Sequence, residues 1–113
     1  MACSKSLKIF KMTVLELINN KSVTEFIILD DRLTDEFYEG HIERAKNIDY
    51  NSKNFQEKIG NLDKNSKYIV YCHSGMRSSR AVKVMKKFGF TDVQNLSGGI
   101  RKWKGKNLPL SKT

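Results

Sequence analysis

The chain has 113 residues, of which 39% are hydrophobic and 29% are charged, and its formal net charge is +9. This length and composition predict a single globular domain over residues 1–113 and exclude a disordered chain. No apolar run approaches the roughly 20 residues that span a bilayer, and no hydrophobic segment of a secretory signal follows the first lysines, so we expect a cytoplasmic domain without a membrane partner.

Predicted helices and strands alternate along the first half of the chain. A helix is predicted over residues 13–20, because Thr13 and Glu16 have the spacing of a capping box. The apolar run over residues 25–30 ends in Asp30 and predicts a strand that is buried on both faces. A short helix, a strand and a further helix follow over residues 34–39, 45–49 and 52–59.

The second half continues the same alternation. Residues 67–71 form the second strong strand candidate, and residues 78–88 are predicted to be helical because Ala81, Val84 and Met85 fall on one face. The last strand and helix are predicted over residues 91–95 and 98–104. Strands that alternate with helices in this way predict an α/β fold around a mostly parallel sheet.

Basic residues and cysteines narrow the possible partners. The densest basic run is residues 101–106, but the other lysines are spread over the whole chain, which predicts a solvated surface and no nucleic-acid partner. Such a surface would concentrate small anions. Cys3, Cys72, His41 and His73 do not form a recognisable ligand set, so no metal site is predicted. Cys3 is expected to be a bystander, and a disulfide with Cys72 is not expected in a reducing compartment.

Cys72 lies directly after the predicted strand 67–71, at the edge where open parallel sheets bind ligands. The next helix is predicted to begin about six residues later, so its N-terminus and Arg77 would favour an anion and a thiolate at this point. Gly75 permits a tight turn whose N–H groups converge on one centre. A cysteine in this position is often only a packing residue, but packing does not require such a loop. We therefore interpret Cys72 as a nucleophile for a small anionic substrate.

The segment from Cys72 to Ser78, with the pattern C-x-x-G-x-R-S, resembles the active-site loop of the rhodanese family, the single-domain sulfurtransferases. The likeness covers about residues 7–110. It implies a three-layer α/β/α fold with a central five-stranded, mostly parallel sheet. Further family motifs are matched, in order, by residues 29–32, 39–42, 88–93, 96–103 and 108–110.

The resemblance implies a sulfurtransferase that forms a persulfide. The Cys72 thiolate would attack the outer sulfur of thiosulfate or another sulfane donor, and the persulfide would pass its sulfur to cyanide or a thiol. Arg77 would hold the sulfonate oxygens, Asp30 and Arg32 would form a supporting network, and His73 would shape the pocket mouth rather than act as a base. The donor is expected to contact His73, Ser74, Gly75, Met76, Arg77 and Ser78. No cofactor is expected, the chain is expected to be a monomer, and the acceptor could be a sulfur-carrier protein.

Two other functions remain open. The first is a non-enzymatic persulfide carrier or interaction domain, and the second is a phosphatase or arsenate reductase-like hydrolase. Cysteine-based phosphatases place five residues between cysteine and arginine, whereas four residues separate Cys72 from Arg77. The shorter loop is the form that the rhodanese family uses for sulfur transfer, so the sequence favours sulfur over phosphate.

The chain departs from the family pattern at three places. Asp31 replaces a usual valine, residues 43–44 replace a common Pro-Gly, and Asn107 stands where glycine is common. These changes are expected to affect turns at the edges of the domain and to leave the chemistry at Cys72 unchanged. Asparagine tolerates a left-handed backbone, so the turn at Asn107 should survive. His41 and Trp103 are expected to be structural.

Overall fold

A computed structural model describes residues 11–19 and 25–112. The five strands are β1 (Lys11–Met12), β2 (Phe26–Asp30), β3 (Lys46–Asn47), β4 (Lys67–Tyr71) and β5 (Asp92–Leu96). The five helices are α1 (Val14–Asn19), α2 (Thr34–Glu39), α3 (Phe55–Gly60), α4 (Met76–Lys87) and α5 (Gly99–Gly105). The strands form one sheet in the order β1-β5-β4-β2-β3, and all four pairings are parallel.

The sheet has an apolar core on each face. In β4, Ile69 and Tyr71 pack into one core with residues of α1 and α5, while Tyr68 and Val70 pack into the other with residues of α3 and α4. This alternation follows from the two-residue period of a strand. The predicted three-layer α/β/α fold with a five-stranded sheet is therefore confirmed.

Most predicted elements lie within a few residues of the observed ones. The capping box is present at the start of α1, where the Thr13 N–H donates to Glu16 Oε1 at 2.9 Å and the Glu16 N–H donates to Thr13 Oγ1 at 3.0 Å. The helix predicted from residue 52 begins only at Phe55, because residues 51–54 form turns. The predicted helix end at Asn20 and the residue Cys3 lie outside the described residues.

The start of α4 differs from the prediction in a way that matters for the loop. The helix begins at Met76 rather than Ser78, because Gly75 adopts a left-handed conformation with φ 108° and turns the chain directly into the helix. The N-terminus of α4 therefore lies closer to Cys72 along the chain than the predicted six residues.

Two of the three departures from the family pattern are turns. Asn107 has φ 56°, so it takes the left-handed conformation that its side chain tolerates, as predicted. Arg44 has φ 73°, a conformation that costs a residue other than glycine about 1–2 kcal/mol. His41 is buried, and its Nδ1 donates to the carbonyl oxygen of Phe37 at 2.8 Å, which makes it structural.

Within the described ranges, no helix has both the length and the apolar character needed to cross a bilayer.

Candidate functional site

Cys72 lies at the carboxyl end of β4 and begins the segment that we call the Cys72 loop, residues 72–78. Its side chain is buried, with 1% of the residue exposed. Its Sγ accepts hydrogen bonds from the N–H groups of Gly75 at 3.0 Å and Ser78 at 3.4 Å. Backbone N–H groups that converge on one atom stabilise negative charge there. The loop therefore suits a thiolate better than a cysteine that only packs.

The first turn of α5 holds the loop from the other side. The N–H of Ile100 donates to the carbonyl of Cys72, and the N–H of Arg101 donates to the carbonyl of His73, both at 2.9 Å. Gly99 makes this approach possible, because a Cβ added there would lie 2.3 Å from the Cys72 carbonyl oxygen. These two carbonyl groups are thus directed towards α5, which fixes the backbone that precedes the N–H donors.

Asn95 on β5 braces the loop through Ser78. The Ser78 Oγ lies 2.5 Å from Asn95 Oδ1 and 3.4 Å from Cys72 Sγ, and Asn95 Nδ2 donates to the Gly75 carbonyl at 3.3 Å. Because a hydroxyl has one proton, Ser78 can donate either to Asn95 or to the sulfur at any moment. Asn95 was missed by the sequence reasoning, although it lies in a predicted strand as a buried polar residue.

Arg77 is partly exposed at the mouth of the loop. Its Nη2 lies 3.5 Å from Glu36 Oε1, and the two side chains are 27% and 30% exposed. His73, Ser74 and Met76 are exposed around the same mouth. Of the six predicted donor-binding residues, the structure therefore brings Gly75 and Ser78 to the sulfur and leaves the others around the opening.

Two clefts that contain basic residues adjoin the mouth at Ser74. One cleft that begins at Ser74 contains Arg80 and Lys83, and a second cleft beside it contains basic residues of α5. The basic residues of the second cleft are Arg101, Lys102 and Lys106. In the part of the chain that the structure describes, no group of three or more His, Cys, Asp or Glu side chains is placed to hold a metal ion.

Asp30 and Arg32 form a buried ion pair beside the site. Arg32 Nε lies 3.0 Å from Asp30 Oδ1, and Arg32 Nη2 lies 2.7 Å from both Asp30 Oδ2 and the Gly40 carbonyl oxygen. Burial disfavours the charged guanidinium, but Asp30 outweighs this effect and raises the pKa of Arg32 above its usual value. The pair ties the end of β2 to the residue that follows α2.

Asp31 directly follows β2, and Cys72 directly follows β4, the strand with which β2 pairs. Asp30 pairs with Tyr71 in the last register position of β2 and β4, and the Asp31 N–H continues the ladder by donating to the Tyr71 carbonyl at 3.0 Å. Asp31 and Cys72 are thus the next residues in register, and from the alternation of side chains we infer that both face away from the core that contains Tyr71. Asp31 is therefore buried at the end of an interior strand, and not in a turn at the edge of the domain as expected.

The carboxyl group of Asp31 is buried without a partner. The residue is 1% exposed, and neither carboxyl oxygen makes a hydrogen bond with any residue that the structure describes. Burial raises the pKa of Asp31 to about 8, with the charge of Arg77 acting in the opposite direction. The sequence showed only that an acidic residue replaces a valine at position 31. The strand register shows that this residue lies beside the end of β4.

The profile of the rhodanese-like domain matches residues 13–106. The chain belongs to the rhodanese-like domain family. It is 32% identical over 92 residues to the thiosulfate sulfurtransferase GlpE of Shewanella oneidensis, covering 81% of this chain and 89% of that protein. It is also 37% identical over 79 residues to the putative sulfur carrier protein YrkF of Bacillus subtilis, covering 70% of this chain and 42% of that protein.

A solved structure shows the same fold. The crystal structure of a rhodanese-related protein from Thermoplasma volcanium superposes with a TM-score of 0.82 at 26% identity, covering 92% of this chain and 99% of that chain. The relatives found by sequence differ in length, and several are longer than this chain. The chain spans from 42% to 89% of the lengths of the first four that it matches, and less than two thirds of two of them.

Proposed function

We propose that this rhodanese-like domain is a sulfurtransferase that moves a sulfane sulfur from thiosulfate, or another sulfane donor, to a thiol or cyanide through a persulfide on Cys72. The observation that carries the proposal is the pair of backbone N–H groups, from Gly75 and Ser78, that donate to the Cys72 Sγ. These donors stabilise a thiolate before the reaction. They can also stabilise the charge that remains on the sulfur atoms when the donor is attacked.

The reaction has two steps that balance without an oxidant or a reductant. The Cys72 thiolate attacks the outer sulfur of thiosulfate, an S–S bond forms, and the S–S bond of the donor breaks as sulfite leaves with the electron pair. The acceptor thiolate then attacks the outer sulfur of the persulfide, and Cys72 leaves as a thiolate. Each step is a displacement at sulfur by an activated thiolate, so a general base is not needed once Cys72 is ionised.

Arg77 supplies the charge for an anionic donor in this proposal. Its guanidinium group is partly exposed at the mouth of the loop, where it can turn from Glu36 towards the sulfonate oxygens. The remaining donor contacts are assigned to His73, Ser74 and Met76 at the same mouth. The basic clefts beside Ser74 would attract the anion and an acidic thiol-bearing acceptor, including a sulfur-carrier protein.

A sulfur-carrying module without turnover is the second candidate. The likeness to the putative sulfur carrier protein YrkF favours it, although this chain spans only 42% of that protein. Such a module would form the same persulfide and release it only to one partner protein. A hydrolase is disfavoured, because four residues rather than five separate Cys72 from Arg77.

Intact mass spectrometry tests the proposal. After incubation with thiosulfate, the wild type and Cys3→Ser should each gain the mass of one sulfur atom, whereas Cys72→Ser should gain none. Added thiol or cyanide should return the mass to its starting value with multiple turnovers. A wild type that stays unmodified with thiosulfate and with organic persulfides would overturn the proposal, and loading without turnover would favour the carrier. Turnover of an aryl phosphate would instead support the hydrolase.

A further inference from the structure

The buried Asp31 is the residue that follows β2, next in register to the residue that follows β4, Cys72. Asp31 and Cys72 follow the last paired residues of β2 and β4, and they face the same side of the sheet. Adjacent strands are about 4.8 Å apart, so the two side chains begin as close neighbours. Both polar groups of the Asp31 backbone are hydrogen-bonded. Its N–H donates to the carbonyl of Tyr71, and its carbonyl accepts from the N–H of Tyr50, each at 3.0 Å.

The charged groups around Asp31 come from four parts of the chain. Arg77 on α4 and Arg32 after β2 favour its ionised form, whereas Asp30 at the end of β2 and Asp49 after β3 oppose it. None of the described residues donates a hydrogen bond to either oxygen, and the side chain is shielded from solvent. Burial of an unpaired carboxylate is costly, so the environment favours the neutral acid.

We propose that Asp31 is a specificity-determining residue of the Cys72 site, because its carboxyl group decides how much of the positive charge of Arg77 remains available to an anionic sulfur donor. This inference rests on the proposed function and concerns which class of sulfur donor, anionic or uncharged, the site prefers. Asp31 acts through Arg77 and through the field at Cys72 rather than by contact with the donor.

The protonation state of Asp31 determines how the preference for an anionic donor changes with pH. With a pKa of about 8, Asp31 is mostly neutral at pH 7 and does not offset the charge that Arg77 offers to a dianion such as thiosulfate. As pH rises through 8, the carboxyl ionises, offsets the charge of Arg77 and repels the dianion. An uncharged donor is not repelled in this way. The ratio of kcat/KM for the two donors therefore changes with pH, and because both donors react with the same sulfur atom, effects common to the two reactions cancel from the ratio.

The test compares an anionic with an uncharged donor, and the wild type with two variants that lack the ionisable carboxyl group. The kcat/KM values for thiosulfate and for an uncharged organic trisulfide would be measured from pH 6.5 to 9.5 with the wild type, Asp31→Asn and Asp31→Val. The thiosulfate-to-trisulfide ratio of the wild type should fall by about tenfold between pH 7 and 9, the order expected for one added charge roughly 10 Å from a dianion at an effective dielectric constant of about 40. Both variants should give a ratio that stays level, because neither side chain ionises.

A second readout does not need turnover. The rates at which anionic iodoacetate and neutral iodoacetamide alkylate Cys72 would be compared in the Cys3→Ser background over the same pH range. Their ratio should fall with pH in the parent and stay level after Asp31→Asn, whose side chain has nearly the same shape.

The outcomes separate this inference from the proposed function. Reaction at Cys72 with a level ratio in the wild type, or with an unchanged slope in Asp31→Asn, would overturn the role of Asp31 and leave sulfur transfer intact. Failure of Cys72 to react with both sulfur donors and both alkylating reagents would overturn the proposed function and the role of Asp31 together.

Discussion

Gly99 allows the start of α5 to approach the Cys72 loop closely, so Gly99→Ala perturbs this contact directly. Its φ is +55°, and an added Cβ would lie 2.3 Å from the carbonyl oxygen of Cys72 and 2.8 Å from that of His73. The same two oxygens accept the N–H groups of Ile100 and Arg101. The atoms that the added methyl group meets belong to the backbone of Cys72 and His73, which cannot move aside as the end of a flexible side chain could. The methyl group must therefore push the start of α5 away from the loop.

The expected loss of stability follows from these contacts. A left-handed backbone costs alanine about 1–2 kcal/mol, and overpacking against fixed atoms costs about 1–3 kcal/mol. The reduced freedom of the unfolded chain offsets about 0.4–1 kcal/mol. We expect Gly99→Ala to lower the free energy of unfolding by about 1 to 4.5 kcal/mol.

Urea unfolding with Gly60→Ala as the matched control measures this effect. Gly60 ends α3, and a Cβ added there meets no atom within 4 Å, so its replacement should be neutral or stabilising by up to about 1 kcal/mol. Gly99→Ala should also slow persulfide formation at Cys72, whereas Gly60→Ala should not. Equal unfolding midpoints for the two variants would refute the steric reasoning, and normal persulfide formation in Gly99→Ala would refute the role of α5 in holding the loop.

Two further predictions concern charged residues near the site. The Arg77–Glu36 pair is partly exposed at 3.5 Å and is worth up to about 1 kcal/mol, so Glu36→Gln should raise kcat/KM for thiosulfate by up to about fivefold. Arg77→Ala should lower it, and both changes should affect the use of an uncharged donor less than the use of thiosulfate; equal effects on both donors would contradict a sulfonate-binding role. Because burial raises the pKa of Asp31 from 3.8 to about 8, the folded chain keeps a proton that the unfolded chain releases between these values. The wild type should therefore lose stability relative to Asp31→Asn as pH rises from 5 to 8, by up to about 1.4 kcal/mol per pH unit, and a constant difference in urea unfolding at both pH values would count against this.

The parts of the fold that sequence reasoning predicted well depend on local signals. The bounds of β4 and α2 match the predicted ranges 67–71 and 34–39, because a buried apolar run and a short segment closed by Gly40 are visible in neighbouring residues. β1 was not predicted. It has only two residues, Lys11 and Met12, and its strand conformation depends on pairing with β5, which is distant along the chain.

In the candidate site, too, the residues with a local sequence signal were predicted and those that depend on distant pairing were not. Cys72, Gly75 and Ser78 could be identified because the loop that brings them together is continuous in the sequence. Asn95 and Asp31 could not, because the first reaches the loop through the pairing of β5 with β4 and the second through the register of β2. A strand prediction gives the alternation of side chains but not the order of the strands or their register, and these decide which polar residues lie near the Cys72 loop.

The sulfite released in a single turnover is the most direct measure of whether Cys72 is the nucleophile. With excess thiosulfate and no acceptor, we predict a burst of one equivalent of sulfite per chain that then stops, and one further equivalent for each equivalent of thiol that is added. Cys72→Ser should release none, and Cys3→Ser should behave as the wild type. Sulfite released steadily without an acceptor, or a burst that persists in Cys72→Ser, would contradict a persulfide on Cys72.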